Sequence, residues 1–289
     1  MPPKPMTEPS GNATSAAAPR LLVDVGNSQL KLGLCMPPVA QSPPVSRPAI
    51  ELLGQLPPAR LSEHDLPLTL PARQVCWQVI SVSPPVVRSL QQWVADHRPD
   101  DWWLSLDYRD LPLTIAVDYP ERVGLDRLAA AVGVNQLRPA GEAAIVIDAG
   151  TAITVDAVGP DGVFLGGLIL PGPRIAAKSL ASHTAQLPDV LFDPDDLPAL
   201  IGKNTVDAIR GGIYWGLLGA IELLIDRVRT KLAAPTQIFV TGGAVESWSK
   251  QLSFPIHYIP DLVLLGIAHA VPRSEPMRVV APTPDESGT

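Results

Sequence analysis

Only two of the 289 residues are cysteine, Cys35 and Cys76, and they do not form a C-x-x-C pair. Two thiols cannot build a disulfide framework, so a stapled extracellular scaffold is excluded and a reducing, cytoplasmic compartment is expected. The five histidines show no metal-ligand spacing, so a structural zinc site is not expected. Charge is scarce at 18%, and its balance is acidic, with a net charge of −7. A protein that neutralises a phosphate backbone needs a basic face, so nucleic acid is not an expected partner. An acidic protein can still bind ATP through a metal ion, backbone N–H groups and a few basic side chains. Aromatics are only 5%, and the tryptophans are not interleaved with basic residues, so they read as packing residues rather than a base-stacking platform. No apolar run reaches the ~18–20 residues of a membrane span without glycine, proline or charge, so no membrane anchoring is expected.

What is present is apolar material. Hydrophobic residues make up 46%, enough for real cores, and at ~150 residues per domain the length suggests two. Residues 1–19 are rich in Pro, Ala, Ser and Thr and lack the apolar run of a signal peptide, so they read as a disordered tail. Residues 272–289 read the same way. Between the tails, Leu21-Leu22-Val23 is a strand signal that ends at Asp24, turns through Gly-Asn and resumes at Leu30–Leu34. Residues 36–72 are proline-rich and predict irregular strands and loops at a sheet edge, because proline cannot donate to a ladder. Val75–Val82 predicts a strand, and Val86–His97 a short amphipathic helix. A second half begins near Gly124 with helical spacing at Leu125, Leu128, Ala129 and Val132. A strand over Ala143–Ile147 follows, ending at Asp148, then a hairpin through Thr154–Val158 and Val163–Leu170. Val206–Thr230 is the longest helical signal, about 37 Å long at 1.5 Å per residue. Its Gly212, Gly216 and Gly219 lower helix propensity and predict a close approach by another element. Ile238–Thr241 is a last strand running into Gly242-Gly243, and Leu262–Val271 predicts a closing helix.

The most informative pattern is an internal repeat. Val23-Asp24-Val25-Gly26-Asn27-Ser28 is matched by Ile147-Asp148-Ala149-Gly150-Thr151-Ala152, 124 residues later. A repeat at this scale points to two similar lobes, 20–122 and 123–271, rather than a solenoid, whose period is about 20–50 residues. A glycine after a strand-end aspartate lets the backbone turn tightly and aim its N–H groups at an anion. Either copy alone is an ordinary hairpin turn. Two copies facing each other could hold a polyphosphate from both sides, with the aspartates binding its cations and Lys31 adding positive charge. Gly124-Leu125-Asp126-Arg127 reads locally as a helix start, with Asp126 held ionised by the dipole. Its functional reading is that Asp126 takes a proton from a substrate hydroxyl while Arg127 anchors a carboxylate with its planar fork. Thr205 reads locally as an N-cap. Gly166–Gly172 follows a strand and reads locally as a bulge and turn, whereas Thr241-Gly242-Gly243-Ala244 ends another strand, where small residues would let a nucleotide base or ribose lie against backbone.

Taken in order, these motifs resemble the type III pantothenate kinase family over about Leu21–Ala270. The resemblance implies an α/β fold of duplicated actin-like (ribonuclease H-like) lobes with an interlobe nucleotide cleft. It implies ATP-dependent phosphorylation of pantothenate at the first step of coenzyme A synthesis, with Mg2+, a monovalent cation (K+ or NH4+) and a homodimer. By position, Asp24, Val25, Gly26, Asn27, Ser28, Gln29, Leu30 and Lys31 correspond to the ATP phosphate loop, and Thr151 to a further ATP contact. Asp126 corresponds to the proton acceptor, and Gly124, Leu125, Asp126 and Arg127 to the pantothenate-binding stretch. Asp148 corresponds to the monovalent-cation ligand, Thr205 to a substrate contact near the dimer interface, and Tyr119 to a substrate tyrosine. Two alternatives stay open. One is a non-catalytic regulator. The other is a kinase or phosphatase of the same superfold with another substrate, since fold alone does not fix substrate.

Overall fold

The computed structural model describes residues 18–37, 48–62, 68–192, 197–243 and 250–279. The expected tails up to residue 17 and from residue 280, much of the proline-rich stretch, and Ala244 lie outside the described residues. The strands are β1 (Arg20–Val25), β2 (Leu30–Cys35), β3 (Ile50–Leu56), β4 (Cys76–Ser81), β5 (Trp102–Ser105), β6 (Ala143–Ala149), β7 (Ala152–Val158), β8 (Phe164–Pro171), β9 (Thr236–Thr241), β10 (His257–Tyr258) and β11 (Met277–Arg278). The helices are α1 (Pro84–His97), α2 (Leu125–Asn135), α3 (Pro173–His183), α4 (Thr205–Leu232) and α5 (Leu262–Ala268).

Two mixed sheets result, ordered β11-β5-β4-β1-β2-β3 and β10-β9-β6-β7-β8. In the first, β2 runs antiparallel to β1 and β3 antiparallel to β2, while β4 is parallel to β1 and β5 to β4. The second repeats that pattern around β6. β1 and β6 therefore hold the same place in their sheets. Each is covered on both faces, which is why both read as nearly continuous apolar runs.

Three apolar clusters fill the layers. One lies on the outer face of the first sheet, beneath α1 and around Trp77, Leu90 and Trp93. Another lies on the outer face of the second sheet, beneath α4. The third joins the inner faces of both sheets to α2 and α5. Those two helices cross backbone to backbone. A Cβ on Gly133 would meet the Leu262 carbonyl at 2.5 Å, and one on Gly266 would meet the carbonyl of Ala129. This crossing brings the C-terminal ends of β1 and β6 to one place.

Several expectations change. β3 does sit at a sheet edge, as the proline-rich composition predicted. Met277–Arg278, within the stretch read as a tail, pairs with Trp102 and Trp103 of β5. β5 is four residues long and carries no alternation to read; Trp103 stacks on Trp77 at 6.3 Å, in keeping with a packing role. α3 was not anticipated, though Pro173 right after Gly172 is a helix-start signal.

α4 is capped one residue earlier than its sequence suggested. Asn204, not Thr205, is the N-cap, and its side-chain oxygen accepts from Asp207 N at 2.9 Å. By length and composition α4 could cross a membrane. Here one face, including Ile209, Ile213, Leu217 and Ile221, is packed on the second sheet. Its Gly212, Gly216 and Gly219 are exposed, with no atom within 4 Å of where a Cβ would stand. The close approach they predicted is not made within the described chain.

Candidate active site

The matched strand ends open into one cleft of about 490 Å³, lined from the first sheet by Asp24, Gly26 to Gln29 and Lys31, and from the second by Asp148 to Ala152. Pleating explains which residues of the first loop face it. Asp24 pairs with Lys31 across β1 and β2 and both point into the cleft, whereas Val25 and Leu30, one step along, are fully buried in the outer cluster. The side chains of Val25 and Leu30, expected among the ATP residues, therefore pack in the core and do not line the cleft. The turns close on themselves, with Gly26 N donating to Gln29 O and Gly150 N to Ala152 O, each at 3.0 Å. Thr151 Oγ1 donates to Ser28 Oγ at 2.9 Å, so the two loops touch across the cleft. Lys31 Nζ donates to the Pro260 carbonyl at 3.0 Å, just before α5.

Three carboxylates share this space. Burial, with the nearby charges of Asp126 and Asp148, pushes the Asp24 carboxyl up to about 7 against the pull of Lys31. Burial and Asp126 push Asp148 to about 6, again opposed by Lys31. The pocket is therefore short of positive charge, and its hard oxygen donors suit Mg2+ or an alkali cation. Among the described residues no three His, Cys, Asp or Glu side chains converge as a metal cage. A cation held by Asp24 or Asp148 would take further oxygens from water and phosphate, as Mg2+ commonly does.

Asp126 stands in the first turn of α2, where its Oδ1 accepts from Arg127 N at 2.8 Å. Gly124 is the N-cap, and its lack of a side chain matters because a Cβ there would strike the Asp126 carboxylate. The helix start was expected to hold Asp126 ionised. The Arg127 N–H and the Arg127 charge do lower its pKa, but burial outweighs them and the net shift is upward. Arg127 also lines the cleft, and its guanidinium is already paired with Asp156 of β7.

The remaining expected residues lie elsewhere. Leu125 packs against the central core. Tyr119 is 58% exposed, with Arg122 over its ring, and Thr205 is exposed at the start of α4; neither lines the cleft. Gln55, Val82, Thr154 and Ile175 line it without having been singled out. A larger hollow of about 820 Å³ beside α1, lined by Leu61, Arg88 and Trp93 among others, contains none of the strand-end acids.

The sequence profile of type III pantothenate kinases matches residues 20–227. A type III pantothenate kinase of Akkermansia muciniphila is 32% identical over 249 residues, covering 86% of this chain and 96% of its own. The chain belongs to the type III pantothenate kinase family. A Sphingopyxis alaskensis protein of the same name is 34% identical over 176 residues, or 64% of its length. One from Kosmotoga olearia is 42% identical over 153 residues, or 56% of its length. Among solved structures, a Campylobacter jejuni protein described as a Baf family transcriptional activator has a TM-score of 0.53 at 21% identity, covering 86% of this chain and 95% of its own. That likeness concerns fold alone. The family match takes in β1 to most of α4, and with them all three cleft carboxylates, Arg127 and Asp156.

Proposed function

We propose that the protein is a cytoplasmic kinase that transfers the γ-phosphoryl group of ATP to the primary hydroxyl of pantothenate, giving 4'-phosphopantothenate. The observation that carries this reading is the convergence of two matched Asp-turn hairpins on one cleft that Asp126 and Arg127 also line. In it, the fold is a pair of duplicated actin-like lobes, about 20–122 and 123–271, and the cleft between them is the nucleotide site. The Gly26–Gln29 and Gly150–Thr151 turns flank the phosphates, and Lys31 supplies local positive charge. Mg2+ and a monovalent cation, when bound, offset the charge of ATP and of the acids around it. Asp126 accepts the hydroxyl proton, and Arg127 holds the pantothenate carboxylate. Cys35 and Cys76, both free and buried, fit a reducing compartment.

An ATP-consumption assay with purified protein, offering pantothenate, pantetheine, common sugars and acetate, tests the reading. Turnover only with a sugar or acetate, or with none of them, overturns it.

Asp148 is assigned to the monovalent cation because its carboxylate stands beside the turn assigned to phosphate, where added positive charge would relieve repulsion between carboxylate and ATP. Replacing potassium with sodium or lithium is expected to lower pantothenate turnover sharply. Equal rates in the three salts count against the assignment.

A homodimer completes the site in this reading. Gly212, Gly216 and Gly219 with the exposed Leu223 form a stripe on α4 that no described element covers. Thr205 lies at the start of the same helix, outside the cleft of its own chain. Sedimentation is expected to show a dimer at assay concentration; a catalytically competent monomer contradicts it.

A further inference from the structure

Asp156 has no part in the scheme above. It is 1% exposed, lies within β7 and does not line the cleft. A buried carboxylate is retained at little cost only when it is paired and hydrogen-bonded. Its pair is Arg127, whose Nε donates to the two carboxylate oxygens at 3.0 and 3.1 Å and whose Nη2 donates to Oδ1. The Phe164 ring covers the guanidinium, 5.8 Å from its Cζ to the ring centroid. One edge and one face of the fork are thus occupied. The other edge, formed by Nη1 and the second hydrogen of Nη2, makes no hydrogen bond among the described residues. Arginine has five donors in a fixed plane, so one guanidinium can bridge two carboxylates, one on each edge.

Room for this arrangement comes from β8. Gly167 is the cross-strand partner of Asp156, and a Cβ there would strike Asp156 Oδ1 and the Val155 carbonyl. The paired glycines at 166 and 167 were legible only as a turn or bulge. At 167 the missing side chain makes the space that the Asp156 carboxylate fills.

We propose that Asp156, housed against Gly167, is a positioning residue that fixes Arg127 with its free edge toward the substrate, and so sets the preference for a substrate carboxylate over the matching neutral carboxamide. The inference rests on the reading of Arg127 as the pantothenate anchor. A long side chain held in advance gives up less freedom on binding, and the substrate meets donors already in place. Asp156 lies outside the cleft and its salt bridge is to Arg127, so its main influence should fall on binding of the acid, more than on ATP or on the chemical step.

The test compares steady-state kinetics of wild type and Asp156→Asn with pantothenate, pantothenamide and ATP. The variant is expected to raise the pantothenate KM about tenfold or more, the scale of one charge-assisted hydrogen bond. The pantothenamide KM, the ATP KM and kcat should stay within a few-fold, so the acid-over-amide preference shrinks. A variant that only melts earlier and keeps the wild-type preference overturns the inference. If Asp156→Asn does not fold, Arg127→Gln is compared with Arg127→Gln/Asp156→Asn. Equal acid-over-amide preference in those two supports action through Arg127, and unequal preference overturns it. Failure of wild type to phosphorylate pantothenate overturns the activity reading and this inference together. A retained preference in an active variant overturns this inference alone.

Discussion

Asp126→Asn is expected to lower pantothenate turnover about 10²–10⁴-fold while Mg-ATP binding survives. A primary alcohol is barely ionised at neutral pH, yet phosphoryl transfer passes through a loose transition state in which positioning and charge neutralisation carry most of the catalysis. A base need only accept the proton late, and a carboxylate can do so. The site favours Asp126 for that task. Burial raises its pKa toward the working range, while the Arg127 N–H and charge restrain the rise. Asp24 and Asp148 stand on the two turns that would flank the phosphates and cations, which makes them poorer acceptors. If Asp126 merely supports the first turn of α2, asparagine should do as well, since its side-chain oxygen can still accept from Arg127 N. Turnover assays paired with ATP titration calorimetry separate the two roles. A folded Asp126→Asn protein with near-normal turnover would refute the assignment.

The cleft was legible because its parts are local. A strand-end acid, a glycine turn and a small hydroxyl or amide side chain fall within six consecutive residues, and their recurrence identifies β1 and β6 as counterparts before any pairing is known. The central strands were legible for a related reason: buried on both faces, they leave apolar runs that need no alternation. Contiguity hides one distinction: Val25 and Leu30 lie inside the loop motif, but alternate residues of a pleated strand face opposite ways, so their side chains go to the core while those of Asp24 and Lys31 reach the cleft.

What escaped depends on contacts distant in sequence. Asp156 reads as a polar interruption of a strand until Arg127, 29 residues earlier, is placed against it. The upward shift of Asp126 escaped because helix-end electrostatics can be read from a few residues, whereas burial depends on how the whole lobe closes. Met277–Arg278 escaped because two residues carry no periodicity; their strand exists through the Trp102 and Trp103 backbone they join. Gly212, Gly216 and Gly219 did announce an approach, but sequence does not say whether the approaching element belongs to the same chain.

Asp24→Asn is expected to stabilise the ligand-free protein at pH 8 while lowering kinase activity about 10²–10³-fold, the usual scale for loss of one electrostatic group in an active site. The Asp24 carboxyl is raised to about 7 by burial and by the charges of Asp126 and Asp148. An acid whose folded pKa is raised contributes its stability fully below the unfolded value, near 3.8, and loses it as pH rises through the folded value. Between about pH 4 and 7 the unfolded chain releases the Asp24 proton while the folded protein keeps it, so wild-type stability falls progressively across that window. Asparagine never ionises, so the melting advantage of the variant should widen across that window and level off above it. Its size should be on the order of 1–4 kcal/mol, and each kcal/mol shifts melting by roughly 2–4 °C in a chain of this size. Mg-ATP should reverse the ranking. A bound cation relieves the repulsion that destabilises the wild type, and ligand binding adds stability by mass action; the variant, having lost the charge, gains less. Melting curves from pH 4 to 8, with and without Mg-ATP, check both halves. A ligand-free wild type that is more stable than Asp24→Asn at pH 8 would mean that the folded protein welcomes the Asp24 charge, and the cleft would then not be the under-compensated acidic pocket on which its role as a cation and phosphate site depends.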